Sequence, residues 1–372
     1  MDVDLVGARV LRGGALDTGP LHISGGVIAD APVGRAVDLS GFTILPGIID
    51  LHGDGFERHV APRRGAMTDL AEGLRAAEAE LAANGITTGF LAQFFSWEGG
   101  LRGPDFGARV MAALRDVAGQ VVTDLRGQVR MEVHLLEEYA TLPERLAEWG
   151  CGYVVFNDHL PHDRLAEGRR PPRLTGQALK AGRNPDDHFA MLLDLHARRA
   201  EVPRALDALC ARLAGQGVRM GSHDDSGSRA AWLARGVDIA EFPETLETAE
   251  TAGGPVILGA PNLVRGGSHK GNVSALDVVS VGACDALASD YHYPSPRRGA
   301  LGLVRAGVLD LPSAWALLSS GPARVMGLED RGDLVPGLRA DLVVLDGADR
   351  VALTMAGGRV SYMNGDIGAR FL

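Results

Sequence analysis

His52 and Asp54 close the apolar run ILPGIIDL; two residues apart on a strand, their side chains leave from the same face. An imidazole nitrogen beside a carboxylate oxygen is a ligand pair for zinc or a similar divalent cation. Four more ionisable groups recur in or after apolar runs: Glu132 in VRMEVHL, His159 after GYVVFND, His223 after VRMGS and Asp290 after CDALAS. A carboxylate buried as Glu132 must be is costly without a cation or a hydrogen-bond partner. Taken singly these groups read as caps or satisfied core residues as readily as ligands. Together they read as one metal cluster. Such a cluster holds one or two divalent ions, zinc first with manganese or iron as alternatives, and brings the pKa of a bound water towards neutral. Asp290 and His223 are assigned the catalytic work, Asp290 as the base that orients the water and takes its proton.

A second constellation is 259–272, GAPNLVRGGSHKGN, where Arg265, His269 and Lys270 lie among glycines. Backbone NH groups in such a loop can approach an anion closely, and the Arg fork matches a phosphoryl or carboxylate group. Residues 164–183 carry Arg164, Arg169, Arg170, Arg173, Lys180 and Arg183 against Glu167. That basic stretch suits a polyanionic substrate, and it equally suits a solvated face. Rich in proline and glycine, 161–185 reads as a long loop between a strand and a helix.

Eight apolar runs carry these groups to one place: TILPGIIDLH, ITTGFLAQF, VRMEVHL, GYVVFND, VRMGSH, VDIAEF, PVILGA and CDALASD. Helical stretches separate them. In TDLAEGLRAAEAELAANG, Leu70, Leu74, Ala77 and Leu81 recur at helical spacing and Gly85 supplies the stop. Strands alternating with helices pair in parallel, and eight of them close into an α/β barrel whose active site lies at the C-terminal face. An open doubly wound sheet would announce itself with a glycine-rich turn after its first strand, where this chain has His-Gly-Asp. Both termini instead alternate in short runs turning at Gly-Gly, which reads as a small β-sandwich built from the two ends. The expected division is 1–45 with 331–372 as the sandwich and 46–330 as the barrel.

The 372-residue length suits that pair of domains, and the composition, 46% hydrophobic and 23% charged, is that of a globular enzyme. A net charge of −10 argues against a nucleic-acid partner. A charged N-terminus and the lack of any long apolar run point to a cytoplasmic protein with no membrane partner. Cys151, Cys210 and Cys284 are scattered without metal spacing and read as small buried hydrophobes in a reducing compartment.

ILPGIIDLHGDGFERHVAPRRG, ITT, RMEV, NDH, GSHDDSG, IAEFPETLETA, GAPNLVRGGSHKGNVSALD and ASDY occur in that order. The chain thereby resembles the PhnM-type enzymes of phosphonate breakdown, a branch of the amidohydrolase superfamily, over nearly its whole length. The resemblance implies a distorted TIM (β/α)₈ barrel with a divalent metal centre. It implies a diphosphatase acting on an acid anhydride, splitting α-D-ribose 1-methylphosphonate 5-triphosphate into the 5-phosphate and pyrophosphate. Its matching positions place His52, Asp54, Glu132, His159, His223 and Asp290 around the metal. They place Arg265, Ser268 and His269 on the substrate, with Glu57 and His59 near the first strand's mouth. The partner is then a small phosphorylated molecule, and a homo-oligomer is left open. The run after NDH, LPHDRLAEGRRPPRLTGQALKAGR, and YHYPSPRRG after Asp290 depart from the family pattern where substrate is gripped. The alternative expectation is a C–N hydrolase, a deacetylase or cyclic amidohydrolase, using the same centre on a small anionic substrate.

Overall fold

A computed structural model describes residues 1–63, 69–266 and 272–372 of the chain. Its centre is an eight-stranded parallel sheet in which each strand pairs with its neighbour in sequence. The strands are β1 (Ile48–Gly53), β2 (Ile86–Phe95), β3 (Asp124–Glu132) and β4 (Tyr153–Asn157), then β5 (Arg219–His223), β6 (Ile239–Glu241), β7 (Val256–Gly259) and β8 (Ala286–Ala288). A parallel bridge from Gly53 to Asp290 joins the two edges and nearly closes the sheet into a barrel. Most of their residues are buried, as expected for strands covered on both faces. Along β3, Val129 and Met131 pack outward with Phe95, Met111 and Leu146. The alternating Gln128, Arg130 and Glu132 therefore face the other way, into the barrel. Period two sorts this strand into a packing face and a chemical face.

The helix expected after β1 runs Leu70–Ala83, capped by the Asp69 side chain, which accepts from the Ala71 and Glu72 amides. It buries Leu74, Ala77 and Leu81. Among the described residues no helix is long and apolar enough to cross a membrane.

The run TILPGIIDLH, expected as one strand, is two. Thr43–Pro46 pairs with Leu342–Leu345 from the C-terminus, and after Gly47 the chain enters β1. Gly47 marks the break because a Cβ there would stand 2.3 Å from Thr87 Oγ1 and 2.5 Å from its Cγ2. Strands from both termini make a six-stranded sheet, beside a four-stranded one built from residues 3–38. Val3, Leu21, Ile44, Leu342 and Leu353 share one core between these sheets, giving the sandwich.

Residues 161–185, expected as a loop, contain the short helices His162–Ala166 and Leu174–Lys180. Leu165 and Leu174 pack with Trp97, Leu160, Leu192 and Leu195 in a small core of their own. Spacing that looks irregular in sequence is here two short helices held down by leucines.

Candidate metal centre

Barrel closure and the ligand group are one feature. The Asp54 amide donates to the Asp290 carbonyl at 3.0 Å, and the Asp290 amide to the His52 carbonyl at 2.8 Å. Those bonds bring His52, Asp54 and Asp290 side chains together, with potential ligand atoms all within 4.8 Å of one another. Below them, Asp50 accepts from the Ser289 amide at 2.8 Å and ties β1 to the end of β8.

His52 is fully buried and its Nδ1 sits 2.7 Å from Glu241 Oε2. Its Nε2 has no hydrogen-bond partner among the described residues. A buried imidazole held by a carboxylate on one nitrogen and bare on the other is oriented as metal-bound histidines are. Beside it, burial and the Asp54 charge push the Asp290 carboxyl up to about 6. Two crowded carboxylates and a bare imidazole nitrogen fit a divalent cation.

Glu241, at the end of β6, is the hub beneath. It accepts from Tyr153 Oη at 2.6 Å and Gln128 Nε2 at 2.6 Å, and its Oε2 faces His223 Nδ1 at 3.2 Å as well as His52. Burial works against its charge, but His52 and His223 outweigh burial and hold the carboxyl well below the usual range. Burial would lower the His52 pKa; Glu241 reverses the sign, and the net shift is upward. His223, opposed by burial and then Arg130, is pushed down to about 4 and stays a neutral ligand form. The two rings stack with centroids 5.2 Å apart, and Phe242 lies 5.0 and 4.9 Å from them.

His159 stands on the other side. Its Nδ1 is 2.6 Å from Glu132 Oε1, which also accepts from Asn157 Nδ2 at 2.5 Å, while the His159 amide donates to Oε2 at 3.2 Å. Glu132 thus sits behind His159, outside the His52–Asp54–Asp290 group. Asp224 spans the gap, with its oxygens 3.7 Å from His159 Nε2 and 3.6 Å from His223 Nε2. Asp224, Phe242 and Asp290 all adopt left-handed backbone, with φ of 57°, 53° and 54°. Such backbone costs a non-glycine residue roughly 1–2 kcal/mol, and here it falls on three residues at the barrel mouth.

Those three residues also line a cavity of about 220 Å³ with Glu244, Asn262 and Arg265. Arg265 donates to Asn262 Oδ1 and lies 5.9 Å over the Tyr291 ring. A cavity of about 490 Å³ opens at the opposite end, between Asp124, Arg126 and Arg219 at the strand starts. It is larger but far from the ionisable strand ends, so the smaller cavity is the one that faces the chemistry. Ser268, His269 and Lys270 lie outside the described residues. Glu57, half-buried near Asp54, is pushed up to about 7 by desolvation despite Arg102. His59 has Nε2 2.6 Å from Glu80 Oε2. In the basic stretch, Arg169 pairs with Glu167, Arg170 with Asp186, and Arg183 donates to the Trp97 carbonyl. Two of the six cations are thus paired with carboxylates.

Sequence reasoning missed Glu241, Asp224, Gln128 and Arg130, whose Nη1 is 3.9 Å from Asp54 Oδ2. Glu241 bore the same signal as Glu132, a carboxylate within an apolar run. Arg130 and Gln128 were visible as polar residues two apart within β3.

The fold is that of a barrel hydrolase whose His and carboxylate clusters could hold a metal ion, and the chain belongs to the amidohydrolase family. That family's model matches residues 296–362. The chain is 32% identical over 352 residues, 88% of its length, to the alpha-D-ribose 1-methylphosphonate 5-triphosphate diphosphatase of Escherichia coli strain K12, covering 90% of that protein. Among solved structures it resembles an amidohydrolase from a Sargasso Sea environmental sample, with TM-score 0.66, 15% identity and coverage of 99% and 96% of the two chains. It likewise resembles the N-acetylglucosamine-6-phosphate deacetylase of Pasteurella multocida, with TM-score 0.63, 12% identity and coverage of 98% and 100%.

Proposed function

We propose that this chain hydrolyses a phosphoanhydride, with α-D-ribose 1-methylphosphonate 5-triphosphate as substrate and the 5-phosphate and pyrophosphate as products. One observation carries the reading: Asp290 belongs both to the His52–Asp54–Asp290 group and to the wall of the cavity that Arg265 lines. On this reading one member of the ligand group, Asp290, and a cation suited to an anion, Arg265, face one chamber. The similarity to the Escherichia coli diphosphatase supports the choice of substrate.

His52, Asp54 and Asp290 are the residues that would hold a divalent ion, zinc first, and His159 and His223 stand ready for a second beside Asp224. When bound, such an ion supplies Lewis acidity and acidifies a water. Glu241 keeps the proton of His52 on Nδ1, so that Nε2 presents its lone pair. Asp290 orients the attacking water and takes its proton on a carboxylate oxygen. Arg265 grips the phosphoryl oxygens of the leaving pyrophosphate, and Arg130 adds positive charge beside Asp54. Attack at the α-phosphorus breaks its bond to the bridging oxygen, which leaves with pyrophosphate. Ser268, His269, Lys270, Glu57 and His59 complete the substrate contacts in this reading.

Incubating the metal-loaded protein with the triphosphate tests it. Pyrophosphate and the 5-phosphate should form in equal amounts. Release of orthophosphate alone would overturn the diphosphatase assignment, and turnover of an N-acyl substrate with the triphosphate untouched would hand the site to the C–N hydrolase reading.

A further inference from the structure

His134, Asp158 and His162 form another group that shares no residue with the centre above, again with potential ligand atoms all within 4.8 Å of one another. His134 follows the end of β3 by two residues, and Asp158 follows β4 directly. His162 opens the helix His162–Ala166. Asp158 Oδ2 is the focus: it lies 2.9 Å from His162 Nε2 and 3.2 Å from His134 Nε2. His162 Nδ1 in turn stands 2.9 Å from Nδ1 of the buried His196, in the helix Pro185–Ala197.

His134 decides what this group is for. It is only 4% exposed, yet neither ring nitrogen has a hydrogen-bond partner among the described residues. Its Nε2 is close to Asp158 but not aligned for a hydrogen bond. A neutral histidine always has one N–H and one lone pair to satisfy, and leaving a buried polar group unmatched costs about 1–3 kcal/mol. A cation between the two Nε2 atoms and Oδ2 would give His134 Nε2 a partner, replacing the direct hydrogen bond between His162 and Asp158. The hydrogen bond between His162 Nδ1 and His196 Nδ1 is compatible with the proton on His162 Nδ1, the tautomer that turns the Nε2 lone pair towards Asp158.

We infer that His134, Asp158 and His162 bind a separate divalent cation of the zinc class, with His196 orienting His162. Two imidazoles and a carboxylate are zinc ligands, with a water completing the tetrahedron. Tetrahedral bonds near 2.0–2.1 Å separate ligand atoms by about 3.3 Å. The spacings of 2.9 and 3.2 Å need to open by only a few tenths of an ångström. The ion pins the first helix of 161–185, and through His196 a second helix, to the ends of β3 and β4. It acts as a clasp on 161–185, and it is independent of the substrate assigned above.

The experiment counts ions. Full-length protein stripped with chelator is loaded with Zn²⁺, dialysed, and its metal measured per chain for wild type and for a H134Q/H162Q variant. Wild type should hold one equivalent more than the variant; equal content overturns the inference. Crystals of the wild-type protein grown with Zn²⁺ test the same point without relying on a variant that folds. An anomalous peak about 2 Å from His134 Nε2, His162 Nε2 and Asp158 Oδ2 is expected. A peak confined to His52, Asp54 and Asp290 refutes the separate site.

Discussion

Glu241 faces four donors drawn from four different barrel strands. Removing its charge should therefore disturb several ligands at once. In Glu241→Gln the amide cannot offer His52 and His223 two anionic acceptors, and the stacked rings lose the group that sets their tautomers. Metal affinity or kcat/KM should fall by about 10–100-fold, as for other carboxylates that orient metal-bound histidines. Equilibrium dialysis against Zn²⁺ and steady-state kinetics on the same preparation check this; an affinity within twofold of wild type would strip Glu241 of that role. His52, Asp54 and Asp290 were legible in the sequence because each follows an apolar run, and position at a strand end is a local property. Which atom each group faces is not local. That Glu132 backs His159 while Glu241 backs His52 depends on the packing of side chains across the barrel axis, which two identical carboxylate-after-apolar patterns cannot distinguish.

At the scale of elements, each of the eight apolar runs contains a barrel strand, because a parallel strand buried on both faces leaves an apolar signature. Two elements were misread for opposite reasons. TILPGIIDLH is continuous in hydrophobicity, so the passage from the sandwich to β1 at Gly47 left no trace in the pattern. Residues 161–185 are polar enough to read as loop, although Leu165 and Leu174 anchor two short helices against Trp97 and Leu192. Gly47 gives the first case a test. An alanine there would put its Cβ within 2.9 Å of three Thr87 atoms. Gly47→Ala should destabilise by about 1–3 kcal/mol, as overpacking does, read from urea unfolding. Adding Thr87→Ala removes two of the three clashing atoms and should recover part of that loss. A single variant as stable as wild type would mean that the strand junction tolerates a side chain.

For the molecule as a whole, the barrel and the terminal sandwich must be held in one register if β1, which enters from the sandwich, is to present His52 correctly. Arg331 does much of this. Almost fully buried, it donates through Nη1 to Thr88 Oγ1 in β2 at 2.9 Å and to Asp124 Oδ2 at the start of β3 at 2.6 Å. Through Nε it reaches Asp330 at 2.8 Å, and Nη1 lies 3.9 Å from the buried Asp341, next to the strand Leu342–Leu345. Arg331→Met would remove the cation that Asp124 and Asp341 share, leaving Asp124 with Arg126 and Asp341 with Arg339, and should cost about 1–3 kcal/mol. The same contact sets a pH dependence. Burial raises the Asp124 pKa, but Arg126 and Arg331 outweigh it and the folded-state value lies below the ordinary one. A carboxylate depressed in this way stabilises the fold above its unfolded pKa of about 3.9, and the contribution disappears as pH falls through the folded value. Asp124→Asn should therefore lower Tm at neutral pH, with the gap to wild type closing as the pH drops below about 4. Thermal melts of both proteins across that range decide it: a gap that stays constant with pH would show that Asp124 contributes by packing rather than by its charge on Arg331.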